Sequence, residues 1–298
     1  YDFSGVSILS YAIMFVAAGQ SLVRRDVKMA VGLWLVSSFA AAALAVLKFA
    51  GFSVLPWRVA EGQLFNTIGG PFSLNLFVLA GVPLAAAVWP DLKNRWQKIA
   101  LGLMALAQLV LAAVIDFQLG WMALAAAGLA LMIYNFMRAR TSGWNFQKIM
   151  ALPAAVVVMA VALWLVSVPR IGGLTFPAEI NPSYSASVEV MAQTLKDHLV
   201  FGSGLETFPY VYAQFKSASL NQTNFWGVNF NNSMAEVITW VTTAGLFGAA
   251  AWLLFAAGFL AYAFKHLNTD GSALKAGLLA SWVFILAAKF LYGTALPL

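Results

Sequence analysis

Cysteine is absent from all 298 residues, so disulfides, thiolate nucleophiles and cysteine-ligated metals are excluded. Histidine occurs only twice, at His198 and His266, far apart in the chain, which argues against a zinc or histidine-cluster site. Charge is scarce as well. Charged residues make up 9% of the chain, against roughly a quarter in a soluble domain. Apolar types reach 62% and mean hydropathy is +0.82. That balance excludes disorder, a coiled coil and a secreted disulfide scaffold. A water-soluble fold would have nowhere to put so much apolar surface. The expected class is therefore all-α, a polytopic helical membrane protein.

A bilayer core about 30 Å thick needs roughly 20 apolar helical residues. Eight stretches qualify, near 5–22, 29–50, 71–89, 97–115, 118–137, 147–168, 233–264 and 272–292. The fourth and fifth are joined by a very short turn at Asp116. The seventh carries no charge from Val237 to Phe264 and is longer than the bilayer core requires, so it is expected to tilt or to project. Within span five, Gly120, Ala123 and Ala127 form a stripe of small side chains suited to close helix packing. The chain opens at Tyr1 rather than methionine and stops after an apolar run at Leu298, as expected of a piece of a longer protein.

Net charge is +6, and the pI is about 9.6. The bases do not form a nucleic-acid surface. They sit in short loops: Arg24, Arg25, Lys28; Lys93, Arg95, Lys98; Arg138, Arg140, Lys148; Lys265, Lys275. That is eleven of the seventeen, all on one side if the spans alternate. The positive-inside rule makes these loops cytoplasmic and both ends of the chain external. Three regions follow: 1–168 with spans one to six, 169–232 as a large outer loop, and 233–298 with spans seven and eight.

The outer loop is polar and aromatic, and too long to be a connector. Val188, Met191, Leu195 and Leu199 recur at helical spacing, as do Phe208, Val211, Tyr212 and Phe215, predicting two amphipathic helices. Gly202-Ser203-Gly204 lies between them. It is either a plain turn or a set of backbone N–H groups for an anion. The smaller outer loop, 49–70, contains Trp57, Arg58 and Glu61.

Each candidate residue has two readings. Arg58 either clamps a phosphate or diphosphate through paired hydrogen bonds or snorkels at the interface beside Trp57. Glu236 either completes a capping box with Ser233 or serves as general base toward a sugar hydroxyl. His198 is a base or a solvated residue at a helix end. Asn221, Phe225 and Trp226 belong to a polar and aromatic run that either stacks on sugar rings or is an ordered loop; Asn221-Gln222-Thr223 also fits the glycosylation acceptor pattern. Lys216 is a second cation of the outer loop. Lys289, in the last span, either snorkels outward or faces the bundle interior. No nucleophile motif, Walker loop or metal-ligand spacing is present, and no cofactor is implied.

The run KDHLVFGSGLETF at 196–208 resembles a stretch of the bacterial O-antigen ligase and O-antigen polymerase family, in which an amphipathic helix precedes Gly-x-Gly-x-x-x-Phe. The run FNNSMAEVITWVTTAGLFG at 230–248 is similar to the family's next span, and the Phe65-Asn66 to Pro83 region to its Asn-rich approach to a span. The resemblance implies a metal-independent glycosyltransferase at the outer leaflet. It would move glycan from undecaprenyl diphosphate to an acceptor sugar, with arginines on the diphosphate and a histidine assisting the acceptor. The chain departs from the family at three positions. The Gly245-x-x-Gly248 half of one motif is kept, but Met234 stands where the ligases have histidine. No arginine occurs between Phe117 and Trp121 or at Tyr184. Either Arg58, Lys216 and Glu236 serve instead, with Trp226 and Phe225 on sugar, or catalysis is lost.

The expected function is thus O-antigen ligase/polymerase-like handling of lipid-linked oligosaccharide or polysaccharide, in a bacterial inner membrane. The alternative is a non-catalytic protein that binds such a glycan or an envelope protein partner. A transporter is a third reading. Against it, the spans show no broken pair in corresponding halves and no row of intramembrane ionisable residues.

Overall fold

The computed structural model describes residues 13–14, 16–17, 20–21, 23–52, 66–142, 146–166, 180–218, 226–265 and 272–293. Among them there is no strand, and six helices are long and apolar enough to cross a membrane. The protein is an all-α polytopic membrane protein. The main helices are α1 (Arg24–Phe49), α2 (Pro71–Leu79), α3 (Gly81–Val88), α4 (Arg95–Ile115), α5 (Gln118–Ser142), α6 (Phe146–Leu165), α7 (Tyr184–Asp197), α8 (Phe208–Phe215), α9 (Glu236–Lys265) and α10 (Ala273–Leu291). The expected spans at 29–50, 71–89, 97–115, 118–137, 233–264 and 272–292 coincide with the six. The one expected at 147–168 is the apolar helix α6, which stops at Leu165. The one expected at 5–22 lies almost wholly outside the described residues.

The chain divides into two compact units. The first takes in α1 to α6 and α10 as far as residue 288. Hydrocarbon offers no partner for a backbone group, so interruptions in its helices need side-chain partners. Asn66 prepares α2: its Oδ1 accepts from the N–H groups of Ile68 and Gly69, and its amide donates to the Gly69 carbonyl at 2.7 Å. Pro83 lacks an N–H, so the Leu79 carbonyl four residues back has no helical donor from it. Ala80 nevertheless keeps helical angles, so α2 and α3 form one bent span, Pro71–Asp91. The Ser281 hydroxyl of α10 donates to the Ala80 carbonyl at 2.8 Å. In α6, Pro153 cannot donate to Ile149 four residues back; Asn135 of α5 does so instead, at 2.9 Å.

Other polar side chains join helices in the same way. Gln108 of α4 donates to Ser38 of α1 at 2.8 Å, and Asn75 of α2 to the Ala112 carbonyl of α4 at 3.1 Å. Asp116, in the left-handed conformation, makes the short turn between α4 and α5. The small-residue stripe of α5 packs inward as expected. Ala123 and Ala127 are fully buried, and a Cβ at Gly120 would meet the Asn75 amide oxygen at 2.6 Å.

The second unit holds residues 180–262 and the end of α10. Ser183 caps α7 by accepting from the Ala186 N–H. Val190 of α7 packs with Phe208, Val211 and Tyr212 of α8 and with Phe230. For α8 the buried face is the one its periodicity predicts. For α7 it is not. The expected stripe of Val188, Met191, Leu195 and Leu199 is only half covered, with Val188 44% exposed, and the buried positions are Ser187, Val190 and Thr194. Hydroxyl partners make that burial tolerable: Thr194 donates to the Val190 carbonyl, and Ser187 accepts from the Met234 N–H.

The Asn135 amide and Pro153 should therefore be coupled. Asn135→Leu should cost about 1–2 kcal/mol by leaving the Ile149 carbonyl without its donor. The loss should shrink in a Pro153→Ala background, where a helical N–H is restored, and unfolding in detergent for the four members of the cycle reads the difference.

Candidate functional site

The second unit is organised by a break in α9. Its 30 residues would span about 45 Å if regular. The helix is not regular, because Gly245 has φ 65° and ψ −165°, outside the helical region. Residues 246–265 alone reach about 30 Å, the thickness of a hydrocarbon core. A break leaves carbonyls before it and N–H groups after it without helical partners. The turn between α7 and α8 supplies them. The Ser203 and Gly204 N–H groups donate to the Thr242 and Thr243 carbonyls at 3.1 and 2.9 Å. The Leu246 and Phe247 N–H groups donate to the Leu199 and Val200 carbonyls, both at 3.0 Å.

Glycine is required on both sides of this junction. Gly202 and Gly245 both have positive φ, and a Cβ on Gly202 would lie 2.5 Å from the Thr243 carbonyl carbon. A Cβ on Gly245 would collide with the Gly202 nitrogen. Hydroxyls finish the turn: Thr207 donates to the Gly204 carbonyl at 2.6 Å, and Ser203 to the Thr242 carbonyl at 3.3 Å. The anion reading of Gly202-Ser203-Gly204 is thereby corrected. The Gly202 N–H is bonded to the His198 carbonyl, and the next two are spent on α9.

At the start of α9 the expected capping box does not form. The Ser233 N–H donates to the Thr239 hydroxyl at 2.9 Å, and the Ser233 hydroxyl to the Ala235 carbonyl. Glu236 turns instead along its own helix. It is 1% exposed, and its Oε1 accepts from the Trp240 indole N–H at 3.0 Å. Lys289 of α10, 6% exposed, faces inward. Its ammonium is 5.9 Å from the centre of the Trp240 ring and within electrostatic reach of the Glu236 carboxylate. Trp252 stands edge-on to both Trp240 and Phe290, at 5.8 and 5.3 Å. A buried carboxylate and a buried ammonium thus share Trp240, one at its indole N–H and the other near its ring, in a region where desolvating either alone is costly.

Backbone contacts strap the end of α10 to this point. The Gly293 N–H donates to the Met234 carbonyl at 2.7 Å, and the Glu236 N–H to the Tyr292 carbonyl at 3.4 Å. Asn181 donates to the Tyr292 hydroxyl at 3.2 Å, and the Tyr184 hydroxyl donates to the Leu291 carbonyl. Partial burial raises the Tyr184 hydroxyl above its ordinary value of 10.0, which keeps it a donor at neutral pH.

The other candidates are placed as follows. Lys216 ends α8, and its ammonium donates to the Trp226 carbonyl at 2.5 Å. The structure therefore joins two predicted substrate residues ten positions apart. The Trp226 side chain is 66% exposed, with its ring open for stacking. His198 is an exposed helix-end residue. Arg58, Asn221 and Phe225 lie outside the described residues. Sequence reasoning missed the break and the link between Glu236 and Lys289. The signals were Gly245 within a span of 30 residues and a lysine in an apolar helix. No protein-family model, curated protein or solved structure matches the chain.

Lys289→Met should destabilise the protein by about 3–5 kcal/mol, because it leaves the Glu236 charge buried without its cation. Glu236→Gln combined with Lys289→Met should recover most of that loss. Thermal unfolding in detergent distinguishes this from two independent, additive losses, which would mean that the residues do not act as a pair.

Proposed function

We propose that the chain is an O-antigen ligase/polymerase-like membrane protein that handles glycan carried on undecaprenyl diphosphate. The supporting observation is that the two stretches of closest resemblance, 196–208 and 230–248, are joined by hydrogen bonds between the Gly202 turn and the break at Gly245. Motif residues of little chemical character, two glycines far apart in sequence, have a shared physical reason to be there. Charge asymmetry between loops supports a position in a bacterial inner membrane with the 169–232 region external.

The substrate chemistry follows from the surface groups. Trp226 offers an exposed aromatic face of the kind that stacks on sugar rings. Lys216 beside it and Arg58 supply cations for a diphosphate. A transporter reading fits less well. Broken transport helices keep their freed backbone groups for substrate or ion, whereas here the turn takes four of them.

The burial of Glu236 favours the non-catalytic form of this reading. A general base must come within about 3 Å of the proton that it removes. At 1% exposure, with Trp240 and Lys289 beside it, Glu236 is suited to holding the start of α9 instead. The chain then binds lipid-linked glycan, alone or with an envelope protein partner.

Native mass spectrometry in detergent tests the binding reading with undecaprenyl diphosphate as the probe. The unmodified chain should bind it in preference to an uncharged lipid, and Arg58→Ala and Lys216→Ala should each weaken that binding. Equal retention of both lipids by all three proteins contradicts the reading.

A further inference from the structure

The turn that closes the helix break carries three consecutive apolar side chains outward. Leu199 is 53% exposed, Val200 52% and Phe201 70%. A contiguous apolar patch of this kind needs an occupant, unlike single apolar residues scattered over a surface. Its surroundings identify one. The Leu199 and Val200 carbonyls are bonded to the Leu246 and Phe247 N–H groups, and the Phe201 ring lies 5.8 Å from that of Phe247. Leu246 and Phe247 are themselves exposed and open the 246–265 segment of α9, whose outward side chains continue with Leu254. That helix is one of the six apolar enough to cross a membrane. The patch is therefore continuous with a lipid-facing surface.

We propose that the side chains of residues 199–201 dip into the headgroup–acyl boundary of the bilayer, as a wedge beside α9. Non-helical backbone is normally excluded from hydrocarbon because its polar groups lack partners. Here α9 takes the Leu199 and Val200 carbonyls, whereas the N–H groups of residues 199–201 are bonded to no protein group among the described residues and need water, which places the backbone at the headgroup level with only the side chains below it. The polar flank agrees. Lys196, Asp197 and His198 are all exposed and immediately precede the wedge, where headgroups and water begin. The insertion fixes the depth of the α7–α8 turn against the membrane. It depends only on the chain crossing a bilayer, and stands or falls separately from the glycan reading.

The cysteine-free sequence makes a direct test simple. Phe201→Cys and Lys196→Cys are each spin-labelled and reconstituted into vesicles of phosphatidylcholine and phosphatidylglycerol. Collision with lipid-soluble oxygen and with a water-soluble nickel chelate is then compared by electron paramagnetic resonance. Val200→Cys provides a second site should the Phe201 variant fail to fold. The ratio of oxygen to nickel accessibility is expected to be several-fold higher at 201, or at 200, than at 196. Nickel accessibility equal to that at 196 overturns the proposal by leaving the turn in water. Exclusion of both reagents also overturns it, since protein, such as a second copy of the chain, then covers the patch.

Discussion

The need to satisfy every backbone polar group in apolar surroundings governs this protein more than any side-chain chemistry. At Gly245 a long apolar helix loses its ladder, and a turn more than 40 residues earlier restores it. The same demand explains smaller features. Pro153 removes a donor and Asn135 provides one; near Pro83, Ser281 bonds the Ala80 carbonyl, next to the one that this proline leaves without a donor. In water such defects would be repaired by solvent. In a bilayer they must be repaired by the chain, so they fix which elements meet.

The break also sets the surroundings of Glu236. With the 246–265 segment long enough to cross the hydrocarbon core by itself, residues 236–244 are free to form a separate short helix carrying the buried carboxylate. Trp240, one turn on, donates to it, and Lys289 near the end of α10 lies within its electrostatic reach. A carboxylate held in this way rigidifies a junction. It is a poor candidate for taking a proton from a sugar hydroxyl, which has to reach it first.

The span pattern was largely legible in the sequence, because hydropathy over 20 residues reports the class of solvent directly. The tight turn at Asp116 and the small-residue face of α5 were legible for local reasons, from loop length and side-chain size. The failures have a common cause. The capping box at Ser233 and Glu236 was a local pattern, and it lost to partners elsewhere: Thr239 for one residue, Trp240 and Lys289 for the other. The apolar stripe of α7 marked an amphipathic helix, while the face it buries within its own unit carries Ser187 and Thr194 with bonded hydroxyls. Hydropathy registers composition and not backbone angles, so the break at Gly245 was invisible to it. Of the candidate site, Lys216 and Trp226 are joined, Glu236 is redirected, and Arg58, Asn221 and Phe225 lie outside the described residues.

Amide hydrogen exchange, resolved to single residues in detergent or nanodiscs, addresses the helix break most directly. The N–H groups of Ser203, Gly204, Leu246 and Phe247 should exchange as slowly as those inside the flanking helices, because each is bonded across the break. Exchange of these four at the rate of an unstructured chain would contradict the account, since α9 would then be an open break that the turn does not close.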